Sequence, residues 1–457
     1  MNYFDAIDAS ALLREYPVRD FLQTYQGISR DELRARQEAR FNDLMTFAWR
    51  VPFYRRHWGA MGIEPGDIRT LDDLPKLPPY TKSDLMASVE AYPPLGDFHG
   101  RDADAPMPLI FHTTSGTTGR PQPLMWGPKS REVQNMLLAR IYHLQGLTEQ
   151  DVIHSVYGFG LVNGGHYIRE AIQHWLGAQV LTAGTGAETR SAQQVRMMRD
   201  FRATAIVGFG DYIRHLADVA REEGLEPVQD IPIRVISGHI GSDNAADLAA
   251  TWGAEHVFDW YGVGDTGVIA AQGPDLDGMH LMEDAQIVEL IDPETLAPVA
   301  EGETGDLVCT CLYKDDIYPV IRFQTQDLTR MLPGANPLGL PFRRMAGHLG
   351  RSDNMVKLRG VNVYPQGIGA ILTAQFAQVP GEYVCIVTQQ DGRTEMEVQV
   401  EVSRMAPGLA TQMQELLKTR LGVQIGVHPV PVGATSELTQ LESRQKPIRL
   451  VRRDAGA

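Results

Sequence analysis

The chain has 457 residues, of which 43% are hydrophobic, and a formal net charge of -15 at pH 7. This length exceeds one ordinary domain, and the apolar content can bury a large core, so we expect two or more domains. The acidic balance excludes an extensive nucleic-acid or anionic-membrane surface, because such surfaces need Lys and Arg in excess. A small anionic ligand stays compatible with this charge, since one local site needs only a few donors.

Cysteine content and the N-terminal stretch indicate the compartment. Cys309, Cys311 and Cys385 are too few for a disulfide framework in a chain of this size. Asp5 and Asp8 lie where a secretory signal would need positive charge followed by a continuous apolar run. No segment approaches the roughly 20 apolar residues of a membrane span. The sequence therefore predicts a cytoplasmic protein.

The first two-thirds of the chain alternate between helical and strand-like segments. Residues 31–48 predict an amphipathic helix, with apolar side chains at helical spacing. From about residue 109 to 335, apolar runs such as VIHSVYGFG and PIRVISG alternate with helical segments such as DYIRHLADVAREEG. This alternation predicts an α/β fold with largely parallel strand pairing.

The pattern changes near Gly350. EMEVQVEV alternates strictly, which predicts a strand with Met396, Val398, Val400 and Val402 on one face, and the preceding QDG favours a hairpin turn. LATQMQELLKTRL then predicts one helix. We expect an N-terminal domain over residues 1–349, a hinge over 350–353, and a small mobile α+β domain over 354–457.

The densest chemical pattern is HTTSGTTGRPQP, residues 112–123, which follows the apolar run PLIF. Five hydroxyl side chains and two glycines, which let backbone N–H groups turn inward, suit a polyphosphate. They are Thr113, Thr114, Ser115, Gly116, Thr117, Thr118 and Gly119. The missing Gly-Lys-Ser/Thr disfavours a P-loop NTPase. Taken alone, the segment could instead be a polar surface loop.

A series of ordered motifs strengthens the phosphate interpretation. RDELRARQ, VPFYRRHW, SGTTGRP, YGFGLVNGG, DWYGVGDTG, YPVIRFQTQDLTRM, GRSDNMVKLRGVNVYP and Lys446 follow one another from Asp31 to Arg453. In this order and spacing the chain resembles the adenylate-forming superfamily of acyl-CoA synthetases, most closely its phenylacetate-CoA ligase-like branch. The resemblance implies an α/β N-terminal domain with mixed sheets, a small α+β C-terminal domain, and the use of ATP, Mg²⁺ and coenzyme A.

The resemblance also assigns a nucleotide site. Arg120 stands where the family usually has a lysine and keeps the positive charge beside the phosphates. The implied ATP-binding residues are Thr113, Thr114, Ser115, Gly116, Thr117, Thr118, Gly119, Gly238, His239, Asp259, Trp260, Tyr261, Gly262, Asp327 and Arg351. Asp327 matches the acid that accepts hydrogen bonds from the ribose hydroxyls; a structural pairing with Arg322 or Arg330 is the alternative.

The catalytic residues that the resemblance implies are Lys446, Asp265 and Arg351, with Asp353 at the hinge. Asp265 would hold Mg²⁺ through ATP, and it is one methylene shorter than the usual Glu. Lys446 would reach the acyl carboxylate and the α-phosphate, where attack of one anion on another needs a cation. As a lone residue in a basic tail, Lys446 would instead be a solvated charge.

The resemblance places the acyl substrate at Tyr157, Phe159, Val162, Gly238, His239 and Gly264. The aromatic residues suggest an aromatic acid, and Val162, where an aromatic is common in phenylacetate-specific relatives, suggests a wider pocket. His239 lies in SGHIGSD where Gly-Ala-Glu-Pro is usual, so it could hydrogen-bond a polar ring substituent, or simply be a packed core histidine. For Cys309 and Cys311 with His280, a structural zinc ion is the less favoured alternative to core packing, because no fourth ligand is evident.

The sequence therefore predicts ATP-dependent activation of an aryl or arylacetic acid to acyl-AMP, followed by transfer to coenzyme A. The expected partners are small molecules, without nucleic acid or membrane, and a homodimer is compatible because relatives are often dimers. One alternative keeps adenylation but changes the acceptor to an amine, a carrier-protein thiol or a phenol that receives AMP. A nucleotide-binding sensor without turnover is the third hypothesis, which Lys446 and Asp327 disfavour.

Overall fold

The structure is a computed structural model and describes residues 2–102, 106–114, 121–241, 244–354, 356–359, 361–390, 393–440 and 447–453. The strands are β1 Ile110–Thr113, β2 Pro123–Trp126, β3 Val152–Ser155, β4 Gln179–Thr182, β5 Ala205–Phe209, β6 Val235–His239, β7 His256–Val263, β8 Gly267–Ala271, β9 Met279–Leu281, β10 Gln286–Ile291, β11 Thr304–Cys311, β12 Phe323–Leu332, β13 Arg344–Met345, β14 Gly350–Arg351, β15 Val356–Leu358, β16 Val361–Val363, β17 Tyr383–Gln390, β18 Arg393–Val402, β19 Gly426–Pro431 and β20 Leu450–Arg453.

The α-helices are α1 Ala9–Glu15, α2 Phe21–Gln26, α3 Arg30–Ala48, α4 Pro52–Gly59, α5 Lys82–Ala91, α6 Pro128–Leu144, α7 Asn163–Glu170, α8 Ser191–Asp200, α9 Gly210–Glu222, α10 Pro227–Asp230, α11 Ala245–Trp252, α12 Ile368–Thr373, α13 Leu409–Leu421 and α14 Ser436–Thr439. A π-helical turn, Ala171–Leu176, continues α7. The predicted first helix corresponds to α3, which Ser29 caps in a capping box with Glu32. No helix among the described residues is long and apolar enough to cross a membrane.

One large mixed sheet organises the chain before residue 352. Its strand order is β10-β11-β12-β13-β9-β8-β7-β6-β5-β3-β4, with β14 beside β12. The pairs from β4 through β3, β5 and β6 to β7 are parallel, and the pairs from β7 to β10 are antiparallel. The α/β fold is confirmed, but largely parallel pairing is wrong for the second half of the region. Strands buried on both faces read as continuous apolar runs whatever their direction.

A separate two-stranded hairpin carries the threonine-rich loop. β1 and β2 pair antiparallel with Thr113 opposite Pro123, so the strand predicted before the loop is present. Thr114 donates its backbone N–H to the carbonyl of Gln122 at 3.0 Å, and its Oγ1 accepts from the Gln122 N–H at 3.1 Å. The two ends of the loop are therefore joined at its base.

The chain after residue 355 forms a smaller α+β unit. Its sheet has the order β19-β18-β17-β20, and β17 pairs antiparallel with β18, as the hairpin turn predicts. Met396, Val398, Val400 and Val402 are all buried on one face of β18, and α13 covers them as one helix. The strand and helix predicted here are both confirmed. Their hydrophobic cluster contains only residues from Val356 onwards.

Candidate active site

An aromatic cluster lies at the carboxyl ends of the parallel strands. Tyr157 follows β3, Phe209 ends β5, His239 ends β6, and Trp260 lies in β7. The His239 ring stacks on Phe209 with centroids 4.8 Å apart and meets Trp260 at 4.2 Å, while Tyr157 meets Phe209 edge-on at 5.1 Å. The carboxyl ends of parallel strands are the usual ligand-binding edge of an open α/β sheet, so this cluster is the candidate acyl site.

Hydrogen bonds fix Tyr157 and His239 in this cluster. The Tyr157 hydroxyl donates to the carbonyl of Gly208 at 3.1 Å and lies 2.9 Å from Nδ1 of His239. Because the hydroxyl proton is used by Gly208, Nδ1 of His239 is assigned as the donor in the second bond. Burial raises the pKa of Tyr157 well above its usual value, so the phenol stays neutral. His239 is therefore both packed and hydrogen-bonded here.

Gly238 and Gly262 are required by close backbone approaches. A Cβ on Gly238 would lie 1.8 Å from the carbonyl oxygen of Gly208 on the neighbouring strand. A Cβ on Gly262 would lie 2.4 Å from the carbonyl oxygen of Gly267, where the register between β7 and β8 shifts. At Gly264 the nearest atom would belong to Leu124, at 3.0 Å. These glycines let β5, β6, β7 and β8 pack closely beside the cluster.

The surroundings of Phe159 and Val162 differ from those of Tyr157 and His239. The Phe159 ring meets His166 edge-on at 5.6 Å and lines a cleft of about 460 Å³ together with His112, Arg131 and Glu170. Val162 is the half-buried residue before α7. The structure brings Tyr157 and His239 together and places Phe159 in this neighbouring cleft. The assignment of Phe159 and Val162 to the acyl pocket stays a prediction.

Asp259 supports the segment that follows β6. Its Oδ1 accepts from the backbone N–H of Ile240 at 3.0 Å, and its Oδ2 accepts from that of Gly241 at 3.1 Å. Burial raises the pKa of Asp259 to about 6, although these N–H groups and that of Trp260 favour the ionised form. Asp259 thus orders the backbone next to His239.

The predicted ribose acid lies in a network with three partners. Asp327 is buried, accepts from the Tyr261 hydroxyl at 2.7 Å and from Nη1 of Arg351 at 2.9 Å, and lies 3.4 Å from Nε2 of His348. Burial alone would raise the pKa of Asp327, but His348, Arg351 and Tyr261 outweigh it and lower the pKa. Neither alternative pairing is made among the described residues: Arg322 pairs with Glu289 at 3.0 Å, Arg330 is exposed, and the ion-pair partners of Asp327 are Arg351 and His348.

Arg351 joins the predicted ribose site to the predicted hinge. Its Nε and Nη2 both donate to Asp353 at 2.7 Å, while Nη1 reaches Asp327. β14 also places the Arg351 backbone opposite Asp327 on β12. The bidentate bond and the strand pairing thus connect the predicted hinge residue to the large sheet.

Asp265 is connected directly to the base of the threonine-rich loop. Its Oδ1 accepts from Nε2 of Gln122 at 2.6 Å and from the Tyr318 hydroxyl at 2.7 Å, and Nζ of Lys314 donates to its carbonyl at 3.0 Å. Burial raises the pKa of the Asp265 carboxyl and lowers the pKa of Lys314 to about 8. Mg²⁺ in nucleotide sites takes one or two carboxylates and the substrate phosphates, so a single acid beside this loop fits that ion.

Several predicted residues lie outside the described ranges: Ser115, Gly116, Thr117, Thr118, Gly119, Arg120 and Lys446. Of the loop, the structure describes Thr113 and Thr114. The assignments of the others stay predictions.

The cysteine and histidine residues considered for zinc are engaged in ordinary contacts. Cys309 and Cys311 are buried with their sulfur atoms 3.9 Å apart, and burial raises the pKa of Cys309. The ring nitrogens of His280 lie 2.9 Å from Oδ1 of Asp275 and 2.9 Å from Nδ2 of Asn336. Over the described part of the chain, no group of three or more His, Cys, Asp or Glu residues is arranged to hold a metal ion.

Sequence reasoning missed five residues that contact the candidate site: Phe209, Gln122, Lys314, Tyr318 and His348. Phe209 carried a usable signal, because it ends an apolar strand run at the sheet edge where Tyr157 and His239 were expected. Gln122 and Tyr318 lie within the quoted motifs HTTSGTTGRPQP and YPVIRFQTQDLTRM, but their bonds to Asp265 span 143 and 53 positions and could not be inferred from spacing. No quoted motif contains Lys314 or His348.

Two family models match the chain. The model described as AMP-binding enzyme matches residues 66–310, and the model described as AMP-binding enzyme C-terminal domain matches residues 360–449. A phenylacetate-coenzyme A ligase of Aromatoleum evansii is 31% identical over 427 residues, 89% of this chain and 92% of that protein. A phenylacetate-coenzyme A ligase of Thermus thermophilus is 32% identical over 390 residues, 83% of each protein.

A solved relative adds information on conformation. 2-Hydroxyisobutyryl-CoA ligase in the postadenylation state, in complex with 2-HIB-AMP, has a TM-score of 0.82 at 28% identity, covering 93% of this chain and 90% of that one. The same enzyme in the thioesterification state, with 2-HIB-AMP and CoA, has a TM-score of 0.68 at 27% identity, covering 100% of this chain and 95% of that one.

These matches confirm the predicted resemblance, the fold and the AMP-forming acid–thiol ligase class. The chain belongs to the family of AMP-binding, adenylate-forming enzymes, in its phenylacetate-CoA ligase-like branch.

Proposed function

We propose that the protein activates an aromatic carboxylic acid with ATP and transfers the acyl group to coenzyme A. The observation that carries this proposal is the position of Trp260 and Tyr261, consecutive residues of β7. Trp260 belongs to the aromatic cluster, and Tyr261 donates to Asp327 in the predicted ribose site. Asp265 follows on the same stretch of chain and bonds to the base of the threonine-rich loop. Acid, ribose and phosphate sites would thus lie along one short segment.

The first half-reaction forms acyl-AMP. A carboxylate oxygen of the acid attacks the α-phosphorus of ATP, and the bond from that phosphorus to the bridging oxygen of the β-phosphate breaks as pyrophosphate leaves. Asp327 would accept hydrogen bonds from the ribose hydroxyls, and His348 together with Arg351 lowers the pKa of that carboxyl. Lys446 would neutralise charge between the two reacting anions.

The second half-reaction transfers the acyl group. The thiolate of coenzyme A attacks the acyl carbon, and the bond from that carbon to the phosphate oxygen breaks, which releases AMP. We propose that residues 354–457 rotate about Asp353 between the two half-reactions, so that Lys446 leaves and GRSDNMVKLRGVNVYP approaches the site. The division of the chain into 1–349, 350–353 and 354–457 rests on this proposal.

Asp265 is the residue that would hold Mg²⁺. Bound magnesium supplies positive charge to the phosphates of ATP. Gln122 and Tyr318 orient the Asp265 carboxylate, and the loop that they adjoin would carry the phosphates.

An aromatic acid is favoured over an aliphatic one by the ring cluster itself. A flat ring can enter edge-to-face or stacked contacts with Phe209, His239 and Trp260, which add to the burial of its apolar area. The relatives named phenylacetate-coenzyme A ligase support the same class of acid.

We propose coenzyme A as the acceptor; an amine, a carrier-protein thiol or a phenol are the competing acceptors. We propose a cytoplasmic location, which the three free cysteines support. A homodimer stays a prediction from the family resemblance.

The test is mass spectrometry of the products from purified protein. Mg-ATP is supplied with benzoic, phenylacetic, indoleacetic and fatty acids, each with and without coenzyme A. A CoA-dependent thioester from an aryl acid is the expected result. Acyl-AMP that accumulates without a thioester would overturn coenzyme A as the acceptor, and no AMP-linked product from any acid would overturn adenylation.

A further inference from the structure

An ion pair joins the end of the chain to the large sheet's helices. Arg449, which directly precedes β20, donates from Nη2 to Oδ2 of Asp211 at 2.8 Å. Asp211 is the second residue of α9, which packs in the hydrophobic cluster of residues 156–257, whereas β20 belongs to the C-terminal sheet. The contact therefore spans the two parts of the chain on either side of the proposed hinge.

The same guanidinium is fixed within the C-terminal part. Arg449 donates bidentately to Glu382 with both bonds at 2.9 Å, donates to the carbonyl of Tyr383 at 2.9 Å, and lies 4.7 Å above the Tyr383 ring. Only 11% of its side chain is exposed. Four contacts hold Arg449 on the C-terminal part, and among the described residues its hydrogen bond to the preceding part is the one to Asp211. That bond therefore reports the relative position of the two parts.

The charges around Arg449 make its bond to Asp211 depend on the relative position of the two parts of the chain. Asp211 and Glu382 both approach Arg449, and the charge of Asp211, after burial, contributes to the raised pKa of Glu382. With Arg449 between them the two carboxylates are bridged, and without it they would repel each other across the contact. Arg214 pairs with Asp247 at 2.8 Å and lies 3.7 Å from Asp211. A Cβ on Gly381, in the C-terminal part, would lie 3.6 Å from Nη1 of Arg214.

Arg449 and Asp211 lie near, along the chain, to residues assigned to the reaction. Lys446 precedes Arg449 by three residues in the sequence. Asp211 follows Phe209 by two residues, and Phe209 stacks on His239 in the aromatic cluster. The chain also matches the postadenylation form of its solved relative with a TM-score of 0.82, against 0.68 for the thioesterification form.

We propose that the Asp211–Arg449 bond holds the C-terminal segment in the arrangement used for adenylation, and that this bond breaks when the C-terminal part rotates for thioester formation. Asp211 is then a positioning residue that acts through Lys446 and touches no substrate. The inference rests on the proposed two half-reactions. Loss of the bond should slow the first half-reaction and leave the second unhindered.

The test measures the half-reactions separately in the full-length protein. Asp211→Asn removes the charge and keeps the shape; acid-dependent pyrophosphate release should fall about tenfold, the effect of one lost charge-assisted hydrogen bond. Thioester formation from supplied acyl-AMP and coenzyme A should stay equal or become faster. Asp211→Arg, which sets like charges together, should slow adenylation further, and Asp211→Glu should restore most of the rate.

Asp218→Asn is the matched control, because Asp218 lies on the same helix as Asp211 and its ion pair, at 2.9 Å, is with the exposed Arg221 of that helix. It should leave both half-reactions unchanged. Equal slowing of both half-reactions by Asp211→Asn, or no slowing of adenylation by either Asn or Arg, would overturn the inference. If the wild-type protein forms no acyl-AMP, the proposed function itself fails, which is a separate result.

Discussion

Nη1 of Arg351 donates a 2.9 Å hydrogen bond to Oδ1 of Asp327, and the backbones of the two residues pair on adjacent strands. His348 most strongly, and then the charge of Arg351, lower the pKa of a buried carboxyl that burial alone would raise. The ionised carboxylate would suit the proposed contact with ribose hydroxyls, at the point where the chain leaves the large sheet.

Replacing the ribose acid should weaken nucleotide binding. For Asp327→Asn we expect the Kd for ATP to rise about 10- to 100-fold, the usual effect of removing one charged hydrogen-bonding partner. Isothermal titration calorimetry measures this directly. Glu289→Gln is the control, because Glu289 pairs with Arg322; it should lower the melting temperature and leave the Kd unchanged. Equal ATP affinity in wild type and Asp327→Asn would contradict the assigned role.

Replacing Asp265 should change the magnesium requirement. Asp265→Asn removes the carboxylate charge, so the Mg²⁺ concentration for half-maximal adenylation should rise about tenfold or more. The fold should tolerate this amide, because burial already disfavours the ionised acid. Pyrophosphate release over a range of Mg²⁺ concentrations is the measurement. Asp315→Asn, which loses a 2.9 Å pairing with Lys129, should keep the wild-type profile; an identical profile for Asp265→Asn would argue against metal binding there.

The C-terminal lysine should separate the two half-reactions. Lys446→Ala should slow acyl-AMP formation about 10²- to 10³-fold, because the developing charge loses its cation. Thioester formation from supplied acyl-AMP should proceed at the wild-type rate. Lys418→Ala, at an exposed position of α13, serves as the control and should affect neither step. A similar loss in both half-reactions after Lys446→Ala would refute the role.

A buried histidine should make stability depend on pH. His154 is fully buried with Nε2 3.0 Å from Oε1 of Gln194, and burial lowers its pKa to about 4. The unfolded chain binds this proton below about pH 6.5 and the folded chain only near 4, so stability is complete above 6.5 and is lost as the pH falls toward 4.

From pH 7 to pH 5, this histidine should cost about 2 kcal/mol of unfolding free energy. Urea unfolding at both pH values would show it as a smaller pH effect in His154→Asn than in wild type. Other titrating groups contribute to both proteins and cancel in the difference. Parallel pH dependences in the two proteins would show that His154 contributes nothing.

Local patterns in the sequence were sufficient for several elements. The helical spacing of residues 31–48 led to α3, and the strict alternation of Met396, Val398, Val400 and Val402 led to the buried face of β18. The motif series led to the family. Each of these depends on residues near one another along the chain, where spacing alone fixes which side chains share a face.

The direction of the strands after β7 could not be obtained in the same way. β8 is buried at every position, and β11 is buried at all but its first residue, so neither shows the alternation of a half-exposed strand. Their apolar runs match those of the parallel strands before them. Pairing direction depends on where the connections lead, which a run of buried residues does not record.

The sequence by itself determined the family, the order of the motifs and the residue types available for phosphate, ribose and metal. Only the tertiary structure decided that Gln122 orients Asp265 across 143 positions, that Arg351 joins Asp327 to Asp353, and that Arg449 reaches Asp211 across 238 positions. The physical reason is range: periodicity arises from neighbours along the chain, whereas a hydrogen bond between distant residues exists only once the intervening elements have packed.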